Sequence, residues 1–196
     1  MERSELTELH YLTPIDNMPS ILQHGILSHV RATQVRHASV AMEEIQDLRS
    51  QVTVPGGRRL HEYANLYVCG RNPMMFKRLA HADQLCVLAI SPNVLDLPGV
   101  VISDGNAISK YVRFAAAPDG LKIVDRAMTF ADDWRNGDQI QYFRKKAAKR
   151  AEVLVPDRVE TRYLLGAYVV REDVEQRLHA IAPSMAIWVN AHLFFA

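Results

Sequence analysis

The sequence predicts an α+β fold with mixed or antiparallel sheets. Helical and strand patterns alternate with short breaks, and neither internal repeats nor low-complexity linkers interrupt them. Few segments are long enough to cross over between parallel strands, and the predicted strands cluster late in the chain. The strongest loop signal is TVPGGRR at 53–59, but the segment after this loop does not resemble a second domain. We therefore expect a single domain over residues 1–196.

Within residues 8–50 the sequence pattern predicts one strand and two helices. The strand covers 8–12. Asn17 lies at a plausible cap and Pro19 in the first turn of a helix that ends at Gly25, a residue type common directly after a helix. A second helix is predicted over 39–50.

The rest of the chain predicts six strands and four helices, each bounded by turn residues. The strands cover 66–69, 85–91, 100–103, 151–155, 163–170 and 186–189. The helices cover 73–80, 130–135, 140–149 and 172–181.

Composition and charge restrict the class of protein. The net charge of +1 gives no global basic field, so any nucleic-acid binding must depend on local clusters. The two cysteines lie in apolar, strand-like runs, a pattern typical of reduced thiols that favours the cytoplasm. No apolar run approaches 18 residues, and the N-terminus MERSELTELH lacks the apolar region of a signal peptide. We expect a protein that is neither secreted nor membrane-spanning.

The common nucleotide-binding and catalytic motifs are absent. The chain has no G-x-G-x-x-G, no phosphate-binding G-x-x-x-x-G-K-[ST], no G-x-S-x-G, no H-E-x-x-H and no paired C-x-x-C. His24 and His29 are separated by a glycine break and make a poor metal pair. We expect no metal site.

The predicted helix over 39–50 has a face suited to a cleft. One line along it consists of Ser39, Met42, Gln46 and Arg49, and an apolar line expected to face the core consists of Ala41, Ile45 and Leu48. The semi-polar line ends in Arg49, which could therefore border a cleft. The alternative is a solvated arginine that is favoured by the dipole at the helix end.

Two predicted strands each present a polar side chain that could carry chemistry. Tyr67 lies on the face opposite Leu66 and Val68, where its ring could stack on a flat heterocycle or simply belong to the core. Glu152 opens the strand AEVLV and shares a face with Leu154. A carboxylate there could stabilise the oxocarbenium-like ribose formed when a glycosidic bond breaks, or serve as a charge that protects a sheet edge.

A basic run directly precedes Glu152. Residues 144–150, RKKAAKR, hold five cations in seven positions. Cations at the end of a helix are favoured by its dipole and by solvent, which explains the run without any ligand. The run also offers a cationic rim beside a carboxylate, as suits a polyanionic substrate.

Four segments of the chain form an ordered set that resembles one family. They are HYLTPIDNMPSILQHGILSH, SVAMEEIQDLR, VPGGRRLHEYANLYVCGRNPMMFKR and KKAAKRAEVLVP. Over roughly 8–190 the sequence resembles the DarT family, the DNA ADP-ribosyltransferase toxins of bacterial toxin–antitoxin pairs. The resemblance implies two small sheets around an NAD cleft with flanking helices. It also implies transfer of ADP-ribose from NAD to a base in single-stranded DNA, thymine in preference to guanine, and a macrodomain antitoxin as partner.

The same resemblance implies roles for individual residues. The catalytic residues are expected to be Glu152 and Arg49. Residues expected to contact NAD are Tyr11, Thr13, Asn17, Gly25, Leu27, Met42 and Tyr67. Those expected to contact DNA are Arg71, Met74, Asn106, Arg113, Lys145, Lys146 and Lys149.

The sequence departs from the family at two of these positions. Many relatives carry Tyr-His-x-Thr where this chain has His10-Tyr11-Leu12-Thr13, so tyrosine stands two residues before the threonine. Some relatives place a histidine near Asn106, and an asparagine cannot titrate to remove a proton from the base.

Other functions remain open at the level of sequence. The acceptor could be RNA, a protein side chain or water, although the basic rim favours a nucleic acid. The chain could also be a non-catalytic nucleic-acid-binding module of the same fold, against which the presence of Glu152 and Arg49 argues. A 2′-phosphotransferase-like enzyme acting on RNA ends would need more basic residues around an internal phosphate pocket.

Overall fold

The computed structural model describes residues 1–38, 43–135 and 137–196, with the side chain of Glu43 left out of that description. Its strands are β1 Leu9–Pro14, β2 Ile26–Leu27, β3 Tyr63–Tyr67, β4 Leu85–Ile90, β5 Val101–Ser103, β6 Phe114–Ala116, β7 Glu152–Pro156, β8 Arg158–Val159, β9 Leu164–Val169 and β10 Ile187–Val189. Its α-helices are α1 Met18–His24, α2 His29–Ala32, α3 Glu43–Gln51, α4 Pro73–Phe76, α5 Arg126–Thr129, α6 Gln139–Ala148 and α7 Glu172–Ile181.

The main sheet has eight strands in the order β10-β9-β4-β1-β3-β7-β5-β6. All neighbours are antiparallel except β10 and β9, which are parallel. β2 and β8 form a separate two-stranded antiparallel sheet. The α+β class is confirmed, but the expectation of two small sheets is wrong, because the main strands join in one mixed sheet.

A single residue pair connects the two halves of this sheet. β1 pairs with β4 over six residues and β3 pairs with β7 over five, whereas β1 and β3 meet only where His10 lies opposite Tyr67. Beyond that pair the side chains of β1 and β3 line a common cleft. The two strands therefore diverge from the seam, by which we mean the His10–Tyr67 pair, and the divergence opens the cleft.

The hydrophobic core lies mainly on one side of β3 and β7. Leu66, Val153 and Val155 belong to a large cluster that also includes the fully buried strand β4. Leu154 instead packs in a smaller cluster, with Ala107 and three residues of the 54–63 segment. This alternation is the one predicted for β7, and it directs Glu152 away from the main core.

Gly25 turns the chain from α1 into β2. Its N–H donates to the Ile21 carbonyl at 2.8 Å, and its φ of +79° lies in the region that glycine tolerates. A Cβ at this position would lie 2.1 Å from the Val159 carbonyl oxygen of β8. Glycine is therefore required both by its backbone conformation and by the close approach of β8.

Several predicted elements differ from the structure. Residues 130–135 are not helical, since the helix α5 ends before them and Trp134 packs edge-on against Phe76 and Phe195. The predicted helix over 73–80 is the single turn α4 followed by 3-10 turns. Strands β2, β6 and β8 were not predicted, and β2 and β8, with two residues each, are too short to show a period. None of the helices in the described ranges is long and apolar enough to cross a membrane.

Candidate active site

A cleft of about 350 Å³ occupies the space between the diverging strands β1 and β3. Side chains of α1, α2, α3 and α4 complete its walls, and Glu152 at the start of β7 lies within it. This volume is within the range of small-molecule sites, and the cleft combines apolar walls with a few convergent polar groups.

Glu152 is held in the cleft by two donors from distant parts of the chain. Its side chain is 2% exposed. Arg49 Nη1 donates to Oε2 at 3.1 Å and, more weakly, to Oε1 at 3.5 Å, and the Ala107 N–H donates to Oε1 at 3.2 Å. A carboxylate oxygen can accept two hydrogen bonds, so Oε2, which accepts one, retains capacity for a ligand hydroxyl.

Arg49 reaches Glu152 from the last turn of α3. Its side chain is 9% exposed, and Nη2 has no hydrogen-bond partner among the described residues. Gln46, one turn earlier, accepts a hydrogen bond through Oε1 from His61 Nε2 at 3.1 Å and lines the same cleft. A buried guanidinium with a free N–H group is a donor available to a ligand.

The prediction for the faces of α3 is partly wrong. Gln46 and Arg49 face the cleft together, as the spacing predicted. Leu48, however, is exposed and Ile45 lines the cleft, so the apolar line does not enter the core. Ser39, Ala41 and Met42 lie outside the described residues.

Tyr67 lies directly opposite Glu152 in the β3–β7 pairing and lines the cleft with Asn65. Burial raises the pKa of the Tyr67 hydroxyl, and the negative charge of Glu152 raises it further. Tyr67 thus stays neutral, and it presents an aromatic ring beside the carboxylate.

The residues expected to contact NAD mostly meet in this cleft. Tyr11, Thr13, Asn17, Gly25 and Leu27 all line it. Burial raises the pKa of Tyr11 to about 12, so this tyrosine is also neutral. Met42, expected in the same group, lies outside the described residues.

Asn17 shapes the wall and does not cap α1. Its Nδ2 donates to Thr13 Oγ1 at 3.1 Å and to the Ala38 carbonyl at 2.7 Å, and its Oδ1 accepts from the Ala38 N–H at 2.8 Å. The amide therefore ties β1 to the segment before α3, and the prediction of a side-chain cap is wrong.

The residues expected to contact DNA do not form one surface. Met74, Asn106 and Lys146 line the cleft, and Lys145 lies on α6 beside them. Lys149 is only 1% exposed: its Nζ donates to the Thr129 and Ala131 carbonyls and lies 3.6 Å from Cys69 Sγ. Burial lowers the pKa of Lys149. Because the Lys149 side chain is buried against these carbonyls, the expectation that it belongs to a cationic rim is wrong.

Two arginines of that set are engaged by the chain itself. Arg71 donates to the Asp132 and His192 carbonyls, and its guanidinium lies 3.7 Å from the centre of the Phe195 ring. Arg113 Nε donates to Asp104 Oδ2 at 2.6 Å, which closes the base of the 104–113 loop. Neither arginine lines the cleft.

Sequence reasoning placed Arg150 in the basic run beside Glu152 but gave it no individual role in the site. Its Nε donates to the Lys146 carbonyl at 3.2 Å, and its side chain lines the cleft. Burial lowers the pKa of the guanidinium, while Tyr67 and Glu152 act in the opposite direction because they lie close to it. The available signal was its position in the basic run, two residues before Glu152.

A histidine pair was also missed. The rings of His29 and His61 lie 4.1 Å apart with an interplanar angle of 32°, and both line the cleft. Burial lowers the pKa of both, with nearby positive groups, including Arg49, adding to the effect. The two residues are 32 apart in sequence, so no spacing pattern could have joined them.

No group of three or more His, Cys, Asp or Glu side chains among the described residues is arranged to hold a metal ion. Cys69 and Cys86 are both buried and unpaired. The polar groups that line the cleft include the Glu152 carboxylate, two guanidinium groups, tyrosine hydroxyls and the two imidazoles.

Solved structures share this fold and cover most of the chain. Thermosipho africanus DarTG, in complex with ADP-ribose, matches with a TM-score of 0.85 and 30% identity over 96% of this chain and 51% of that chain. Thermus sp. 2.9 DarT, in complex with ADP-ribosylated ssDNA, matches with a TM-score of 0.83 and 22% identity over 97% of each chain. The same Thermus protein in complex with NAD+ matches with a TM-score of 0.78. The fold is therefore that of the DNA ADP-ribosyl transferases.

The chain belongs to the DarT family, since the family model described as "ssDNA thymidine ADP-ribosyltransferase, DarT" matches residues 10–194. A DNA ADP-ribosyl transferase–DNA ADP-ribosyl glycohydrolase fusion protein of Thermosipho africanus is 32% identical over 87% of this chain and 44% of its own length. A DNA ADP-ribosyl transferase of Thermus aquaticus is 31% identical over 77% of this chain and 69% of its own length. The chain thus spans less than half of the fusion relative.

Proposed function

We propose that this chain transfers ADP-ribose from NAD+ to thymidine in single-stranded DNA. The observation that carries the proposal is the placement of Glu152, a buried carboxylate held by Arg49 and the Ala107 N–H in a cleft that also contains Tyr67. Membership of the DarT family supports both the donor and the acceptor.

Glu152 would act on the ribose attached to nicotinamide. When the bond between ribose C1′ and the nicotinamide nitrogen breaks, its electron pair leaves with nicotinamide and positive charge develops on the sugar. Glu152 would accept a hydrogen bond from a ribose hydroxyl and stabilise that charge. The Ala107 N–H and Arg49 fix the orientation of the carboxylate before the substrate arrives, which avoids reorganisation during the reaction.

Thymine would then bond through N3 to C1′, and its N3 proton would leave to water. Arg49 Nη2 has no partner among the described residues, so it can donate to the base and favour the deprotonated form. Asn106 lines the same cleft and cannot take the proton, and electrostatic stabilisation by Arg49 would assist this step. A single strand is the suitable acceptor because its bases are unstacked at little cost.

The remaining cleft residues would bind the dinucleotide. Tyr67 offers an aromatic face to nicotinamide beside Glu152. Tyr11 and Thr13 on β1, with Gly25 and Leu27 after α1, form the opposite wall. Arg150 and Lys146 place positive charge at the cleft, where a pyrophosphate or a DNA phosphate needs it.

We further infer a partner that removes the modification. One relative unites a DNA ADP-ribosyl transferase with a DNA ADP-ribosyl glycohydrolase in one chain, which supports a macrodomain antitoxin acting on the product of this chain.

The test is mass spectrometry of oligonucleotides after incubation with enzyme and NAD+. Short single-stranded oligonucleotides of defined sequence, with and without thymine, are compared with duplex DNA, RNA and a protein pool. A mass increase of one ADP-ribose confined to thymine-containing single strands supports the proposal. Transfer only to RNA, to protein or to thymine-free DNA, or NAD+ hydrolysis without transfer, contradicts it. Glu44→Gln, an exposed carboxylate on α3, is the matched control for Glu152→Gln.

A further inference from the structure

The helix α6 carries positive charge that the chain itself does not neutralise. Residues 139–150 contain five cations and no aspartate or glutamate. Apart from the buried Lys149, these are Arg144, Lys145, Lys146 and Arg150. None of the four forms an ion pair with any described residue, whereas Arg58 and Arg113, among others, do. Arg144, Lys145 and Lys146 are therefore available to an external anion, whereas Arg150 lies close to Glu152.

The same helix exposes aromatic and aliphatic surface. Phe143 is 61% exposed and Ile140, one turn earlier, is 68% exposed. The Tyr142 ring lies 5.2 Å from the Phe143 ring at 78°, so the two rings form an edge-to-face pair. Within the described ranges, no other ring contacts Phe143.

A continuous row of contacts connects this surface to the cleft. Tyr142 Oη accepts from Lys146 Nζ at 2.7 Å, and the Lys146 carbonyl accepts from Arg150 Nε at 3.2 Å. Lys146 and Arg150 both line the cleft. Arg150 lies two residues before Glu152 in the sequence. The loop that carries Asn106 abuts the same helix, since a Cβ on Gly105 would lie 3.1 Å from the Ala147 carbonyl oxygen.

We propose that Phe143 and Tyr142 form a stacking subsite for an unpaired base that flanks the modified thymidine, with phosphates of the same strand bound by Arg144, Lys145 and Lys146. The inference rests on the proposed function, because it takes the occupant of the cleft mouth to be single-stranded DNA. Exposed aromatic rings beside unpaired cations are the combination with which proteins bind single strands. The complete lack of carboxylates on α6 fits a polyanion.

Three points favour a single strand as the occupant. A duplex keeps its bases stacked and offers Phe143 no face. The distance from Tyr142 to Lys146 is one helical turn, about 6 Å along the axis, so the rings lie within reach of a nucleotide adjacent to one in the cleft. A protein surface bound at α6 would make contact without needing a flat ring at position 143.

Binding is measured by fluorescence anisotropy with a labelled single-stranded oligonucleotide of about 12 nucleotides that contains thymine. All proteins carry Glu152→Gln so that no transfer occurs. We expect Phe143→Ala to weaken binding roughly tenfold, the usual effect of losing one stacked base. Phe143→Trp should keep the affinity of the parent, because it preserves a flat ring. Phe143→Leu should weaken binding as Phe143→Ala does. Leu165→Ala, an exposed apolar residue on β9, is the control and should bind as the parent does.

Phe143→Trp also gives a direct signal. Its indole fluorescence should be quenched when the single strand is added, and duplex DNA of the same sequence should have no such effect; the parent with its own two tryptophans sets the baseline. Equal affinity of the Ala, Leu and Trp variants, or no quenching, overturns the inference. The same Phe143 variants made with Glu152 intact would then still modify single-stranded DNA, which keeps the proposed function. A parent that binds RNA and no DNA overturns both.

Discussion

Arg49 Nη1 and Glu152 Oε2 lie 3.1 Å apart although their residues are separated by 103 positions in the chain. The pair joins α3 to the first residue of β7, and both side chains are buried. A buried ion pair contributes little net stability, since removing two charges from water costs about as much as their attraction returns. Its retention in a cleft is better explained by chemistry than by folding.

Replacing Glu152 should remove activity and keep the fold. Glu152→Gln preserves the size of the side chain and loses the charge that would stabilise the ribose cation. We expect transfer to fall by at least on the order of 10²–10³-fold. The rate is measured with labelled NAD+ and a single-stranded oligonucleotide, and circular dichroism checks the fold. Near-full activity of Glu152→Gln would contradict the assignment, and Glu44→Gln should behave as the wild type.

Replacing Arg49 should affect both stability and activity. Arg49→Ala leaves the buried Glu152 charge with only the Ala107 N–H, so we expect the free energy of unfolding to decrease by about 3 kcal/mol. The double variant Arg49→Ala, Glu152→Gln should recover much of that loss, because no unpaired charge remains. Urea unfolding of the four proteins measures the coupling. Additive effects of the two substitutions would refute the interpretation of the pair.

Tyr67 should act through its ring. Its neutral hydroxyl has no assigned acid–base role, whereas its position opposite Glu152 suits stacking against nicotinamide. Tyr67→Phe should therefore retain most of the activity, and Tyr67→Leu should raise the KM for NAD+ by roughly tenfold. Steady-state kinetics with varied NAD+ distinguishes the two. Equal losses in both variants would point to the hydroxyl instead.

Replacing Lys149 should lower stability and replacing Lys145 should weaken DNA binding, although both residues lie at the same end of α6. Lys149→Ala removes a buried side chain and leaves the Thr129 and Ala131 carbonyls without this donor, so we expect a loss of about 2 kcal/mol in stability. Lys145→Ala should leave stability unchanged and reduce the salt dependence of single-strand binding by about 0.7 in log–log slope. Denaturant unfolding and binding at several salt concentrations measure the two quantities. If Lys149→Ala changed the salt dependence of single-strand binding and left stability unchanged, Lys149 would contact DNA after all.

Stability should decrease on mild acidification because of the His29–His61 pair. Burial lowers the pKa of both imidazoles in the folded chain, so below about pH 6.5 the unfolded chain binds more protons than the folded one. The free energy of unfolding therefore falls from pH 7.5 to pH 5.5. We expect His29→Asn, His61→Asn to flatten this decrease and His192→Asn, an exposed histidine, to leave it unchanged. Melting temperatures at the two pH values test this, and an unchanged slope in the double variant would be the contrary result.

Local patterns predicted the parts of the site that depend on one element. Alternation along β3 and β7 placed Tyr67 and Glu152 on cleft-facing positions, and the spacing in α3 placed Gln46 and Arg49 on one face. The same spacing misplaced Leu48, because α3 borders a cleft and does not lie against the core.

Features made by tertiary contact were not predictable in this way. The Ala107 N–H has no side-chain signal, and its bond to Glu152 depends on how the 104–113 loop folds onto β7. Lys149 is one cation among several in the basic run. Its side chain is buried because it donates to the Thr129 carbonyl, a contact that the run itself does not indicate. The one-sheet topology depends on a single pair between β1 and β3, which no propensity can distinguish from two separate sheets.

Because the seam consists of the single His10–Tyr67 pair, the two halves of the main sheet are joined at one point. Beside this pair the His10 ring packs closely against Gly70, where a Cβ would lie 2.7 Å from Cδ2. Substitutions at His10 or Gly70 would change which substrates the cleft admits. Each half of the sheet would keep its shape, because the β1–β4 and β3–β7 pairs hold it together.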